Sequence, residues 1–163
     1  MRYLKLTLLL LAAHLIQTAV LSRYSLLGVR PDLMLVTVSL FAVNFGAEDG
    51  FASGVIAGLI QDLLGGAYFL NTATKGLLGF LIGTLKESII GTEEAVTLTA
   101  VVAATATNFV LELVMLYFFF GKPIASPFVV ILTLFLLSVY NSILAFILYP
   151  LLRWIFKTVF VVA

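Results

Sequence analysis

Cysteine is absent from the 163-residue chain, which excludes disulfides, thiolate catalysis and Cys-ligated metals. Histidine occurs once, at His14, so a metal site built on imidazoles has no second ligand of that type. Charge is scarce as well: 10% of the residues are Asp, Glu, Lys or Arg, against roughly 25% in soluble domains. The 9 Lys and Arg are scattered and the net charge is +1, so no cluster exists to neutralise phosphates, and nucleic acid is excluded as a partner. What fills the chain instead is apolar: 63% hydrophobic residues and a mean hydropathy of +1.21. A soluble fold of this size cannot hide so much apolar surface, whereas lipid accepts it. The fold class implied is all-α: a polytopic membrane bundle, one transmembrane domain over residues 1–163.

About 20 apolar residues cross the hydrocarbon core as a helix, and the chain divides into six such segments, near residues 4–22, 31–47, 51–64, 71–85, 95–120 and 127–149. Arg2 and Lys5 ahead of an apolar run resemble a signal peptide, but the run continues through Val20 and Leu21, which favours a retained first helix. Pro31 suits the first position of helix two, with Asp32 beside it at the positive helix end. Glu48, Asp49 and Gly50 read as a tight turn, and Gly65-Gly66 ends helix three. Residues 67–75 read as a loop that carries Lys75, with helix four starting either at about Asn71 or at Gly76. Helices three and four then look short, near 14 residues or about 21 Å, and open to a re-entrant arrangement. Thr92 resembles an N-cap followed by Glu93 and Glu94, and Ser126-Pro127 starts helix six. Pro150 is expected to kink or stop that helix, leaving 151–163 as an amphipathic tail on the membrane surface, with Arg153, Trp154 and Lys157 at the interface.

Six spans place both termini on one side. Arg2, Lys5, Lys86, Arg153 and Lys157 share that side, and Arg23, Arg30, Lys75 and Lys122 the other, which weakly favours cytoplasmic termini.

Gly50, Gly54, Gly58 and Asp62 recur every four residues, and each such step turns about 40° past a full circle. They therefore form one stripe along helix three, and Gly76, Gly79 and Gly83 answer on helix four. Small residues so spaced let helix backbones approach closely, either within the bundle or against a partner. Asp62 is either solvated at an interface or buried against Lys75, Lys86 or a helix N-terminus. Glu112 lies within helix five with Asn108 one turn earlier, and Asn141 of helix six could face them. That polar cluster reads as an internal clamp or as a ligand, proton or partner site. His14 and Gln17 share a face of helix one and read as packing polars.

Enzyme readings fail on residue supply. The aspartates are Asp32, Asp49 and Asp62, without a facing pair for an intramembrane protease, and no serine is set for a dyad with His14. Asp49-Gly50, Gly58 and Asp62 echo part of the metal motif of lipid-head-group phosphotransferases, but Gly54 and Gly66 stand where further ligands belong. No catalytic set, metal or cofactor is expected.

Arg30-Pro31-Asp32-Leu33 at the start of helix two, the ladder Gly50, Gly54, Gly58, Asp62-Leu63-Leu64-Gly65-Gly66, and then Gly76, Gly79 and Gly83 resemble the MreD family of rod shape-determining membrane proteins. The resemblance implies a non-enzymatic component of the elongation machinery in the bacterial inner membrane. It implies binding to MreC and, through it, links to MreB filaments and to the glycosyltransferase–transpeptidase pair that builds lateral peptidoglycan, with membrane lipids around it. It also implies a fold similar to the six-helix substrate-binding subunits of energy-coupling-factor vitamin importers. On this reading the glycine stripe is a candidate face for a partner's transmembrane helix. The rival, an importer subunit that binds a vitamin-type small molecule, calls for a polar pocket around Asn108, Glu112 and Asn141. It also calls for an Ala-xxx-Ala pattern on helix one; Ala12 and Ala13 are followed four later by Ile16 and Gln17, so the pattern is missing.

Overall fold

Helix boundaries in this chain are set by a few polar and glycine positions in an otherwise uniformly apolar sequence. The computed structural model describes residues 2–23, 28–65, 69–88 and 90–160. Among them run α1 (Arg2–Ala19), α2 (Leu33–Phe45), α3 (Ala47–Gly65), α4 (Leu70–Leu85), α5 (Glu93–Phe120) and α6 (Pro127–Ile155). Short 3₁₀ turns follow α1 and α4, and a π-helical turn, Phe156–Phe160, follows α6. The expected 4–22 thus becomes a helix that ends at Ala19, and the structure departs from the expected helix ends at four other places.

First, Pro31 does not open α2. Asp32 is the N-cap, its side chain accepting from the Leu35 N–H at 3.0 Å, so Pro31 lies just outside the helix. Second, Glu48, Asp49 and Gly50 are not a turn but the first turn of α3, where the two carboxylates favour the positive helix end. The turn is the single residue Gly46, whose φ of 93° is open to glycine at little cost. As a result α3 has 19 residues, about 28 Å, rather than 14. Third, α4 begins at Leu70 and carries Lys75 in its second turn, so Lys75 is not in a loop. Fourth, α6 continues through Pro150 to Ile155. Proline removes one backbone donor, but the turns beyond it are anchored: Leu152 and Phe156 are buried, and the Phe156 ring meets Phe41 edge-on at 5.3 Å. The end of α6 and the turn after it are therefore a continuation of the bundle, anchored at Leu152 and Phe156, rather than a separate surface tail, and 161–163 lie outside the described residues.

Elsewhere, Thr92 caps α5 by accepting from Ala95 N–H, and Gly121, in the left-handed region at φ 61°, closes it by donating to Leu116 and Tyr117 carbonyls. Ser126 and Pro127 begin α6, without a side-chain cap bond from Ser126.

α2 is the central helix. Its residues from Leu33 to Ala42 are all buried, and it packs against each of the other five. A helix apolar on every side belongs in an interior. Leu6 and Leu10 of α1, Met34, Val38 and Phe41 of α2, Ala57 and Ile60 of α3, Val101 of α5 and Leu152 form the main apolar cluster around it. α5 and α6 are both long and apolar enough to cross a membrane by length and composition, and α1 and α2 are shorter apolar helices. The two long helices also outrun the rest. The Asn141 side chain bonds the backbone N–H of Asp32, so the start of α2 lies level with the middle of α6. Beyond that level α6 extends back to Pro127 for about 20 Å at 1.5 Å per residue, and no residue from 109 to 120 or from 127 to 140 is fully buried.

Candidate functional site: a polar hub at the start of α2

The first turn of a helix leaves backbone N–H groups that need acceptors, and away from water these must come from side chains. α2 draws them from two other helices and from its own N-cap. Asp32 N–H donates to Oδ1 of Asn141 in α6 at 2.8 Å, Met34 N–H to Oε1 of Gln17 in α1 at 3.1 Å, and Leu35 N–H to the carboxylate of Asp32 itself. Gln17 is thus a capping group for a neighbouring helix, whereas its face-mate His14 is buried with Nδ1 unpartnered among the described residues.

The Asp32 carboxylate is the negative centre of this turn, and its counter-charge is Lys75. The ammonium lies 3.0 Å from Asp32 Oδ2 and donates to Asn71 Oδ1 at 2.9 Å. Lys75 is fully buried, with 0% of its side chain exposed against 19% for Asp32. Gln61 of α3 reaches Asp32 Oδ1 at 3.5 Å. Asn141 uses its amide N–H to donate to Thr105 of α5 at 3.0 Å. One connected set of hydrogen bonds therefore links α2, α3, α4, α5 and α6 at a single level. A buried ion pair contributes less to net stability than to fixing how elements meet, because desolvation offsets much of the attraction.

Asp62 continues the set on the other side of Asn71. It is 5% exposed and accepts from Asn71 N–H, Asn71 Nδ2, Thr72 N–H and Thr72 Oγ1, at 2.7–3.2 Å. Of the partners considered for it, a helix N-terminus is the one present. α4 needs such a partner: its N-cap position is Phe69, at φ 55°, which has no side-chain acceptor. The last full turn of α3 thus caps the helix that follows it.

The glycines are placed between these two helices. A Cβ on Gly50 would strike the Gly79 carbonyl, one on Gly54 the Lys75 carbonyl, one on Gly58 the backbone of Asn71 and Thr72, and one on Gly83 the backbone of Gly46 and Ala47. Gly79 meets Gly50 in return. Gly76 differs, facing only the side chains of Val55 and Phe51. The stripe is consumed by the α3–α4 contact. It is this approach that carries Lys75 beneath α2.

The second expected cluster divides. Asn108 donates to Glu112 at 2.7 Å on α5, and the Asn108 carbonyl is buried and unpartnered among the described residues. Asn141 does not join them; it faces Asp32 and Thr105, about one turn before Asn108. Arg30 is exposed just before the hub and Pro31 is buried there. Lys75, Asn71, Gln61 and Thr105 were missed as site residues. Asn71 and Lys75 are four apart and so share a helix face, which was the available signal, but it was hidden by reading 67–75 as a loop.

Among the described residues no group of His, Asp and Glu could hold a metal ion. The hub joins helices through buried hydrogen bonds and one ion pair. A comparison with curated proteins finds no match. The family model of rod shape-determining protein MreD matches residues 1–159. The chain that builds this hub belongs to the MreD family, and its role lies in rod shape determination.

Proposed function

We propose that the protein is a multi-pass, non-enzymatic component of the bacterial inner membrane that holds MreC in the cell-elongation machinery and helps connect MreB filaments to the glycosyltransferase–transpeptidase pair. The observation that carries this reading is Glu112. It lies on α5 about 10 Å beyond Thr105, on the stretch that has passed the start of α2, among apolar and partly exposed side chains. An ionisable group within a span costs about 2.5–3.5 kcal/mol when left in hydrocarbon. Asn108 is the hydrogen-bond partner that reaches it. A transmembrane helix from a partner, carrying a donor at that depth, completes the site. The glycine stripe is released from this role because its faces are filled by α3 and α4.

Co-purification of MreC with Glu112→Leu tests the reading. Loss of one charge-assisted contact lowers MreC recovery by about ten-fold, while the isolated bundle melts at the same temperature or higher because a costly carboxylate is gone. Full MreC recovery by a folded Glu112→Leu protein overturns this site, and a lower melting temperature with normal recovery makes Glu112 an internal clamp instead.

A further inference from the structure

Threonines in these helices return their hydroxyl to the carbonyl one turn back: Thr37 to Leu33, Thr74 to Leu70, Thr84 to Phe80, Thr105 to Val101. Thr97 does not. Its side chain is 2% exposed and Oγ1 has no partner among the described residues. It stands where two clefts meet. One, about 330 Å³, opens at the end of the bundle that bears the termini and is lined by Asn44, Lys86, Glu87, Glu93 and Tyr149 with Thr97. The other, about 350 Å³ and mostly apolar, runs between α5 and α6 past Leu98, Ala145, Phe146 and Pro150, with Glu94 at its polar end and Thr97 and Tyr149 as the shared wall.

The polar cleft carries both signs of charge. Arg153 is engaged with Glu93 and with the Tyr149 hydroxyl. Lys86 and Glu87, neighbours on its rim, have no ion-pair partner among the described residues. Arg153 and Trp154 on the adjoining turn of α6 are the residue types that sit at headgroup depth. A polar, doubly charged recess at that depth, continuous with an apolar groove facing outward, is complementary to an amphiphile with a zwitterionic head.

We propose that this double cleft binds one phospholipid of the ethanolamine type. Its phosphate lies against Lys86 and its ammonium against Glu87. The Thr97 hydroxyl donates to an oxygen at the glycerol level, and an acyl chain lies along Leu98, Ala145 and Phe146. A glycerol headgroup offers Glu87 no cation, and a choline headgroup offers it no N–H donor. The site is at the opposite end of the bundle from the polar hub and does not depend on the MreC reading.

The test uses the full chain purified in mild detergent, stripped of lipid, and titrated with dioleoyl phosphatidylethanolamine, phosphatidylglycerol or phosphatidylcholine under native mass spectrometry. One saturable copy of the ethanolamine lipid is expected, bound about ten-fold tighter than the other two. Lys86→Ala is expected to weaken it about ten-fold and the near-isosteric Thr97→Val about three-fold, with Lys86→Arg retaining affinity and Lys122→Ala, at the far end, unchanged. Should Lys86→Ala fail to fold, Thr97→Val and Lys86→Arg carry the test. Equal affinity for the three lipids, adducts that never saturate, indifference to both Lys86→Ala and Thr97→Val, or a protein dimer that excludes lipid overturns the proposal.

Discussion

Lys75 shows how a single side chain can help decide the way helices meet. Its ammonium is at 0% exposure and pairs with Asp32 and Asn71, so the cation itself has no water as an alternative. Removing only the cation leaves the Asp32 carboxylate facing the interior, and the loss of one member of a buried pair costs about 3–5 kcal/mol. Lys75→Met is therefore expected to destabilise the bundle by that amount in equilibrium unfolding from detergent micelles. The double variant Asp32→Asn with Lys75→Met removes both charges, keeps a side chain able to cap α2, and should recover at least half of the loss. If the double variant is as unstable as the two single losses summed, the pair is not coupled as drawn. The sequence made Asp32 partly legible: an aspartate beside Pro31 and before an apolar run belongs at a positive helix end, but that pattern puts it inside the helix after Pro31, whereas it is the N-cap. The sequence did not make Lys75 legible. A lysine beside Gly76 on a short segment reads as exposed until the close approach of α3 shows that its surroundings are protein.

At the scale of elements, the α3–α4 hairpin is held by backbone-to-backbone approach, and the glycines are unequal within it. A methyl group at Gly54 meets the carbonyl of Lys75, which can move only if α4 moves, and with it the ammonium under Asp32. Overpacking of this kind costs typically 1–3 kcal/mol, and Gly54→Ala is expected at the upper end, about 3 kcal/mol. At Gly76 the methyl meets Val55 Cγ2 at 3.0 Å, a side-chain atom that can give way. Alanine also gains about 1 kcal/mol of helix propensity over glycine, so Gly76→Ala should lie within about 1 kcal/mol of the parent. Thermal melts of the two variants check the ranking, and equal losses would mean that the stripe is not the contact seen. The four-residue spacing predicted that some backbone would approach these glycines; only the fold tells that α4 fills the space. Helix ends were less legible. Glu48 and Asp49 are polar enough to look like a turn, yet Gly46 makes the turn in one residue, and Pro150 looks like a stop although Leu152 and Phe156 are buried beyond it.

For the whole molecule, the burial of Lys75 also changes the reading of orientation. With Lys75 inside α4, the side opposite the termini keeps Arg23, Arg30 and Lys122, while the side of the termini has Arg2, Lys5, Lys86, Arg153 and Lys157. Positive charge in short loops favours the cytoplasm, so the bias toward cytoplasmic termini is stronger than the unfolded sequence suggested. The absence of cysteine makes this directly measurable, since the parent chain gives no background with thiol reagents. Ser88 follows α4 and Ser126 precedes α6, both are exposed, and α5 separates them. If α5 crosses the membrane, the two lie on opposite sides. A membrane-impermeant maleimide added to intact spheroplasts is expected to label Ser126→Cys, and to label Ser88→Cys only after the membrane is opened. The reverse pattern would invert the protein and place the Lys86 cleft in the outer leaflet. Labelling of both from one side would mean that α5 does not cross, and the long hairpin, with Glu112 on it, could then not present a transmembrane face to a partner.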